Sequence, residues 1–257
     1  MAQEGVSLSG IDALENGAHA IATHHLSDLL QYFRYVQETL LIAFHNAGNS
    51  IPVPNTPNNP KLLAFIAAAR AFSIARTAID QTLRGYPLEG IALTRILAEL
   101  AQSSQYLVRH PDLIDSFVSG RVKLERILKL ARLERGRRRK DFFGPFWSLM
   151  SRYAYASPDL LALPLKAHAN RMTVRLVISD PGRIEDAPYG IMTALLTQYR
   201  VFRAGFLRDL AVATDLNARD KLIFRPDNIR KFARFGSLSD ALLDRLYRLA
   251  TRDEGAV

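Results

Sequence analysis

The sequence predicts an all-α protein, built of packed antiparallel helices with at most one short strand pair. Three observations predict it. Apolar residues recur at three- and four-residue spacing through most of the 257 residues. Proline and glycine stops punctuate these runs. Hydrophobic residues make up 48% of the chain, enough to fill a core and too many for a disordered segment. The expected organisation is one helical domain over 1–257, with a looser C-terminal subdomain from about residue 157.

Each element has its own local reason. Residues 11–46 read as one long or once-broken helix. "PVPNTPNNP" at 52–60 is a loop, because four prolines and three asparagines forbid regular structure. A helix dense in Ala and Leu follows over about 61–84, with Gly85 as its stop. "GYP" at 85–87 is a tight turn, and Pro87 suits the first turn of a helix that runs to about 109 and is closed by Pro111. A short helix covers about 112–118, and an amphipathic helix covers 121–133. "FFGPFW" at 142–147 breaks the pattern before a short helix resumes to about 155. Ser157 and Pro158 then read as an N-cap and a first helical position.

"RMTVRLVIS" at 171–179 alternates, with Met172, Val174, Leu176 and Ile178 on one side. That is a strand period. Its partner would be "IPV" at 51–53 or a second subunit, or the stretch is extended chain with no partner. "DPG" at 180–182 signals a turn. Asp186 caps a helix reaching about 214, with Ile191, Leu195, Tyr199, Phe202, Phe206 and Leu210 as its core stripe. Ser237 and Asp240 form a capping box that opens a last helix to about 250.

The charge is local. Lys and Arg number 34 against 25 Asp and Glu, a net charge of +9. Ten of the cations and two of the acids fall in "RVKLERILKLARLERGRRRK" at 121–140, a local charge of +8; the remaining 24 cations and 23 acids leave +1 for everything else. A concentrated basic patch of this kind steers polyanions. Val122, Leu124, Ile127, Leu128 and Ala131 supply its docking stripe. The four consecutive cations after Gly136 have no core-facing member and repel one another, so solvent or a partner must neutralise them.

There is no cysteine, which excludes disulfides, thiolate metal sites and a Cys nucleophile and fits a reducing cytoplasm. The first basic residue is Arg34, so the N-terminus lacks the positive start of a targeting peptide. The longest apolar uncharged run within a helical pattern is about 187–199, short of the roughly 18 residues of a span. No transmembrane segment is therefore expected.

The stretch "GYPLEGIALTRILAELAQSSQYLVRHPDLIDSF" carries a small-residue turn, Leu-x-Arg-x-x-x-Glu spacing, Tyr-Leu and a His-Pro break. "FWSLMSRYAYASPD" at 146–159 carries an aromatic-x-x-Leu pattern. Over about residues 60–160 the chain resembles a broad group of uncharacterised bacterial all-helical proteins of unknown function. The resemblance implies a helical fold and no established activity. Where the group's second motif has His, this sequence has Tyr155.

Candidate chemistry is sparse. Arg95 and Glu99 lie four apart on one helical face, with Gln102, Ser103 and Tyr106 continuing the stripe. Arg70, Ser73, Thr77, Asp80, Gln81 and Arg84 line one face of the preceding helix. The two faces suggest a polar seam, which is either a pocket at Arg95, Glu99 and Tyr106 for a small charged ligand or an ion pair that fixes register. His19, His24 and His25 lie near Glu15 and Asp28. At 100° per residue they point different ways, so no metal site is expected. Phe224, Arg225, Arg230, Lys231, Phe232, Arg234 and Phe235 interleave rings with cations; they suit single strands, or are core rings with solvated neighbours. Phosphate loops, H-E-x-x-H, G-x-S-x-G and the Arg-to-His spacing of helical nucleases are missing.

The sequence therefore points to a non-enzymatic binding or accessory protein with no cofactor. Its first expected partner is nucleic acid, held non-specifically by phosphate contacts from Arg121, Lys129, Arg132, Arg135, Arg137, Arg138, Arg139 and Lys140. An acidic protein surface is the second partner, and an anionic membrane surface is possible for the Arg cluster. An enzyme with its pocket at the Arg95–Glu99 seam is the third reading. An oligomer is compatible with all of them.

Overall fold

The computed structural model describes residues 8–48, 51, 59–136, 165–168, 171–174, 177, 186–206, 217, 218, 221, 223 and 225. These are helical apart from turns and one short strand pair. Helices α1 (Leu8–His25) and α2 (Ser27–Gly48) form the once-broken rod that the periodicity predicts. The hydrogen-bond ladder runs through the break: Leu26 N donates to Ala22 O at 2.9 Å, and Leu30 N donates to Leu26 O at 2.9 Å. Leu29, Phe33, Val36, Leu40, Ala43 and Ala47 form the buried stripe of α2 at helical spacing.

Helix α3 (Pro60–Leu83) starts where Asn59 accepts a hydrogen bond from Lys61 N at 2.9 Å, with Pro60 in the first turn. It ends in a Schellman motif: Tyr86 N bonds Gln81 O at 2.9 Å and Gly85 N bonds Thr82 O at 3.1 Å. Gly85 sits at φ 96°, a conformation that favours glycine. Helix α4 (Pro87–Arg109) then runs back along α3. A single 3₁₀ turn (Pro111–Leu113) and the short α5 (Ile114–Val118) follow.

Helix α6 spans Leu124–Gly136, so it begins three residues later than the sequence predicts. The cause is local. Gly120 lies at φ 74°, Val122 N is taken by Ser116 O at 2.8 Å, and Arg121 is held by Asp115. Strands β1 (Leu165–His168) and β2 (Arg171–Val174) pair antiparallel, with Leu165 opposite Val174 and His168 opposite Arg171. The partner of the alternating stretch is thus the preceding "LKAH", not 51–53 or a second subunit. Only two residues separate the strands in sequence, so closing this hairpin costs far less entropy than a distant pairing. Helix α7 (Asp186–Gly205) completes the described elements.

Helices α3, α4 and α7 pack on one another at the centre, with α2 and α1 against α3. Small residues allow the close approach. A Cβ at Gly90 would sit 2.0 Å from Thr82 Oγ1 and 3.0 Å from Ala78 O, and one at Gly205 would sit 2.5 Å from Ala64 Cβ. Hydroxyls at the contact return to their own helix, as Thr82 Oγ1 does to Ala78 O and Thr94 Oγ1 to Gly90 O, both at 2.8 Å. The predicted stripe Ile191, Leu195, Tyr199, Phe202 and Phe206 is fully buried, and Phe202 meets Phe44 edge-on at 5.5 Å. Tyr32 OH donates to Ile223 O at 2.9 Å, joining α2 to the C-terminal part of the chain.

The helix at the centre is more apolar than the count of uncharged runs suggests. By length and composition α3 could cross a membrane, with a mean hydropathy of 1.6 in its most apolar window. Its two arginines, Arg70 and Arg76, interrupt the uncharged run without lowering the average enough to exclude it. Here α3 lies among α1, α2, α4 and α7, the position of a core helix. The loop at 52–58, the elements expected over 142–158, the later part of the alternating stretch, the turn at 180–182, Leu210 and the last helix lie outside the described residues.

Candidate functional site

The two polar rows meet only in part: Arg70 of the α3 row lines one pocket with Glu99 and Ser103 of the α4 row. Arg70, Ser73, Thr77 and Arg84 are exposed on α3, and Ser73 and Thr77 bond carbonyls of their own helix. The α3 surface turned to α4 at Gly90 is instead Ala78 and Thr82. A helical wheel identifies the polar row of α3, but the neighbour it faces is set by where glycine lets α4 come close.

Arg95 and Glu99 do pair. Arg95 Nε donates to Glu99 Oε1 at 3.0 Å, with the side chains 16% and 23% exposed. They lie on the wall of an open groove of ≈ 710 Å³ between α4 and α6. Ala92, Leu93 and Ile96 continue the α4 wall, and Lys123, Leu124, Glu125, Leu128 and Lys129 form the opposite one. The fold therefore brings two sequence features together: the Arg95–Glu99 pair and the first half of the basic stretch. Tyr106 goes elsewhere. It is buried in a second core cluster with Leu107, Ile114, Ile127 and Ala131, and its ring lies 4.3 Å from that of His110.

Helix α6 is held by that cluster and by Glu134, which accepts from Arg109 at 2.8 Å and lies 3.5 Å from His110 Nε2. Of the predicted stripe, Ile127, Leu128 and Ala131 are buried and Val122 is half-buried, but Leu124, at the first turn of α6, is exposed; Lys123, Arg126 and Lys129 are exposed as well. These three have no ion-pair partner among the described residues. Arg121 differs from them, since Asp115 and Ser119 bind its guanidinium. The backbone of α6 includes Arg132 and Arg135; Arg137, Arg138, Arg139 and Lys140 lie outside the described residues. Of the ring-and-cation stretch near the C-terminus, Lys221 and Arg225 are exposed and Ile223 is buried.

The acid weighed as a metal ligand has another task. Glu15 accepts from Tyr86 OH at 2.5 Å and pairs with Arg84, which also holds Asp80 at 3.0 Å. The Asp80 carboxylate beside Arg84 raises the guanidinium's pKa, and the hydrogen bond to Glu15 raises that of the Tyr86 phenol. Among the described residues no three potential metal ligands converge.

The sequence reading also missed an apolar pocket of ≈ 230 Å³ beside the groove. It lies between α3, α4 and α5, and its lining includes Leu63, Ile74, Leu100, Leu107 and Phe117. Ile96, Glu99 and Leu124 line both hollows. Arg70, Glu99 and Ser103 of the predicted seam line this pocket too, but its apolar character had only Ile96, beside Arg95 on the polar flank of α4, as a signal.

The chain matches no protein-family model and no curated protein, and the fold matches no solved structure. The resemblance drawn from the sequence thus rests on its short motifs alone.

Proposed function

We propose that the protein is a non-enzymatic binding protein that contacts nucleic acid through its phosphate backbone, using the basic stretch 121–140. One observation carries this reading: a charge of +8 is confined to twenty residues, while the rest of the chain is nearly neutral. The mode of docking of α6 supports it. Ile127, Leu128 and Ala131 of the apolar stripe are spent on the core, so Lys123, Arg126 and Lys129 stay in solvent, where a polyanion can reach them. Arg121 contributes less than the sequence suggests, because Asp115 already neutralises it.

The contacts hold phosphates and do not read bases. The stretch offers no ordered set of Asn, Gln and Arg for base edges. Lys is a point charge on a flexible stem and follows a backbone without bidentate geometry.

The test is a salt titration of binding to unrelated DNA and RNA sequences. Changing Arg137, Arg138, Arg139 and Lys140 together to Ser should weaken all of them about equally. The slope of log affinity against log salt should flatten by roughly three units, since each lost contact releases about one counterion fewer. A variant that binds as tightly as the native protein at every salt concentration would falsify the site. Salt-dependent binding to one acidic protein, with no affinity for polyanions, would move the function to protein interaction.

A further inference from the structure

The pocket and the groove share one threshold. Ile96 from α4 and Leu124 from α6 line both, and they are 48% and 38% exposed. Two large apolar side chains left in water side by side at a cavity mouth are better covered by hydrocarbon than by solvent. Behind them lies the ≈ 230 Å³ pocket, lined mostly by aliphatic and Phe side chains; Ser103 and Ser104 also line it, but their hydroxyls donate to carbonyls of their own helix and are spent there.

The rims are cationic. Exposed Arg70 stands at the α3 edge of the pocket, and Lys123 and Lys129 stand on the α6 wall of the groove. None of the three has an acidic partner among the described residues. Of the two acids present, Glu99 is already matched by Arg95, which leaves Glu125 against three cations. Apolar depth with a cationic rim fits a molecule that is apolar at one end and anionic at the other.

We infer that the pocket and groove form one binding site for a free, single-chain anionic amphiphile. Its hydrocarbon chain fills the pocket past Ile96 and Leu124, and its carboxylate or phosphate head lies among Arg70, Lys123 and Lys129. This reading stands apart from nucleic-acid binding, because it depends on the pocket and not on residues 137–140.

Titration calorimetry of the full chain with decanoate, below its micellar concentration, is the test. Saturable binding of one decanoate is expected, with affinity rising about fourfold for each methylene added from hexanoate until the pocket is full. Decan-1-ol should bind more weakly, and decyltrimethylammonium should not bind. Ile96→Glu should abolish binding while affinity for polyanions stays native. Leu124→Asp, on the opposite wall, serves if the first variant does not fold. The triple change of Arg70, Lys123 and Lys129 to Gln should weaken decanoate roughly five- to tenfold and leave decan-1-ol unchanged. The inference is overturned if decanoate shows no saturable binding, or if binding survives both threshold variants. Equal affinity of decanoate and decan-1-ol, or association with phosphatidylglycerol vesicles but not with free decanoate, overturns it as well.

Discussion

Gly90 is the residue on which the α3–α4 contact turns. An added methyl would lie 2.0 Å from Thr82 Oγ1, and Thr82 is itself fixed by its bond to Ala78 O. Gly90→Ala should therefore destabilise the protein by about 2–3 kcal/mol, despite the higher helix propensity of Ala, as chemical denaturation would measure. Arg95→Ala and Glu99→Ala should each cost about 1–2 kcal/mol. The pair is too well hydrated for the larger penalty of a fully buried charge, and too enclosed to be neutral. Equal melting of both variants and the native chain would show that the pair adds nothing to stability. Tyr32 gives a pH dependence. Burial raises its phenol above the ordinary range, with a further contribution from Tyr35, so the folded protein keeps the proton where the unfolded chain has lost it. The contribution is fully present below about pH 10 and lost as pH rises from there through the folded value. Tyr32→Phe should cost about 1–2 kcal/mol at neutral pH by leaving Ile223 O without its donor, and should flatten the alkaline fall in melting temperature.

At the scale of elements, what the sequence made legible was local chemistry. Gly85, Pro87, Pro111 and the stripe from Ile191 to Phe206 act through their own helices, and each lies where the periodicity puts it. What stayed hidden was pairing between elements. The polar row of α3 looked like half of a seam because a single helix carries no information about its neighbour. The alternating residues 171–174 named a strand, but their partner depended on a two-residue connection whose Ala169 and Asn170 gave only a faint turn signal. The site followed the same rule. The i, i+4 spacing identified Arg95 and Glu99, whereas their meeting with Lys123 and Lys129 needed α6 to fold back on α4. That docking is testable. Ile127→Ala removes a fully buried side chain from the cluster around Tyr106 and Leu107 and should cost about 2–4 kcal/mol. Hydrogen exchange should then rise in α6 more than in α3. Uniform acceleration through both helices would mean that α6 is not a separate unit.

At the scale of the whole molecule, charge and core are segregated. The described part of the basic stretch lies on α6 and the turn before it, with α6 packed against α4, while the centre is built from α3, α4 and α7. Replacing the exposed cations Lys123, Arg126 and Lys129 should therefore alter salt-dependent binding with little effect on the melting temperature; a large fall would mean that these cations hold the fold. The central place of α3 has a consequence for synthesis. About a hundred residues separate its end from the start of α7, which covers it. At roughly 5–20 residues per second, a ribosome needs about five to twenty seconds to deliver that cover. During this interval the nascent chain displays a helix as apolar as a membrane span. A chain halted at residue 185 should sediment as aggregate or cling to membranes and chaperones, whereas the full chain should stay in the supernatant. If the truncated chain were as well dispersed as the full one, α3 would find its shelter in α1, α2 and α4 alone, before α7 leaves the ribosome.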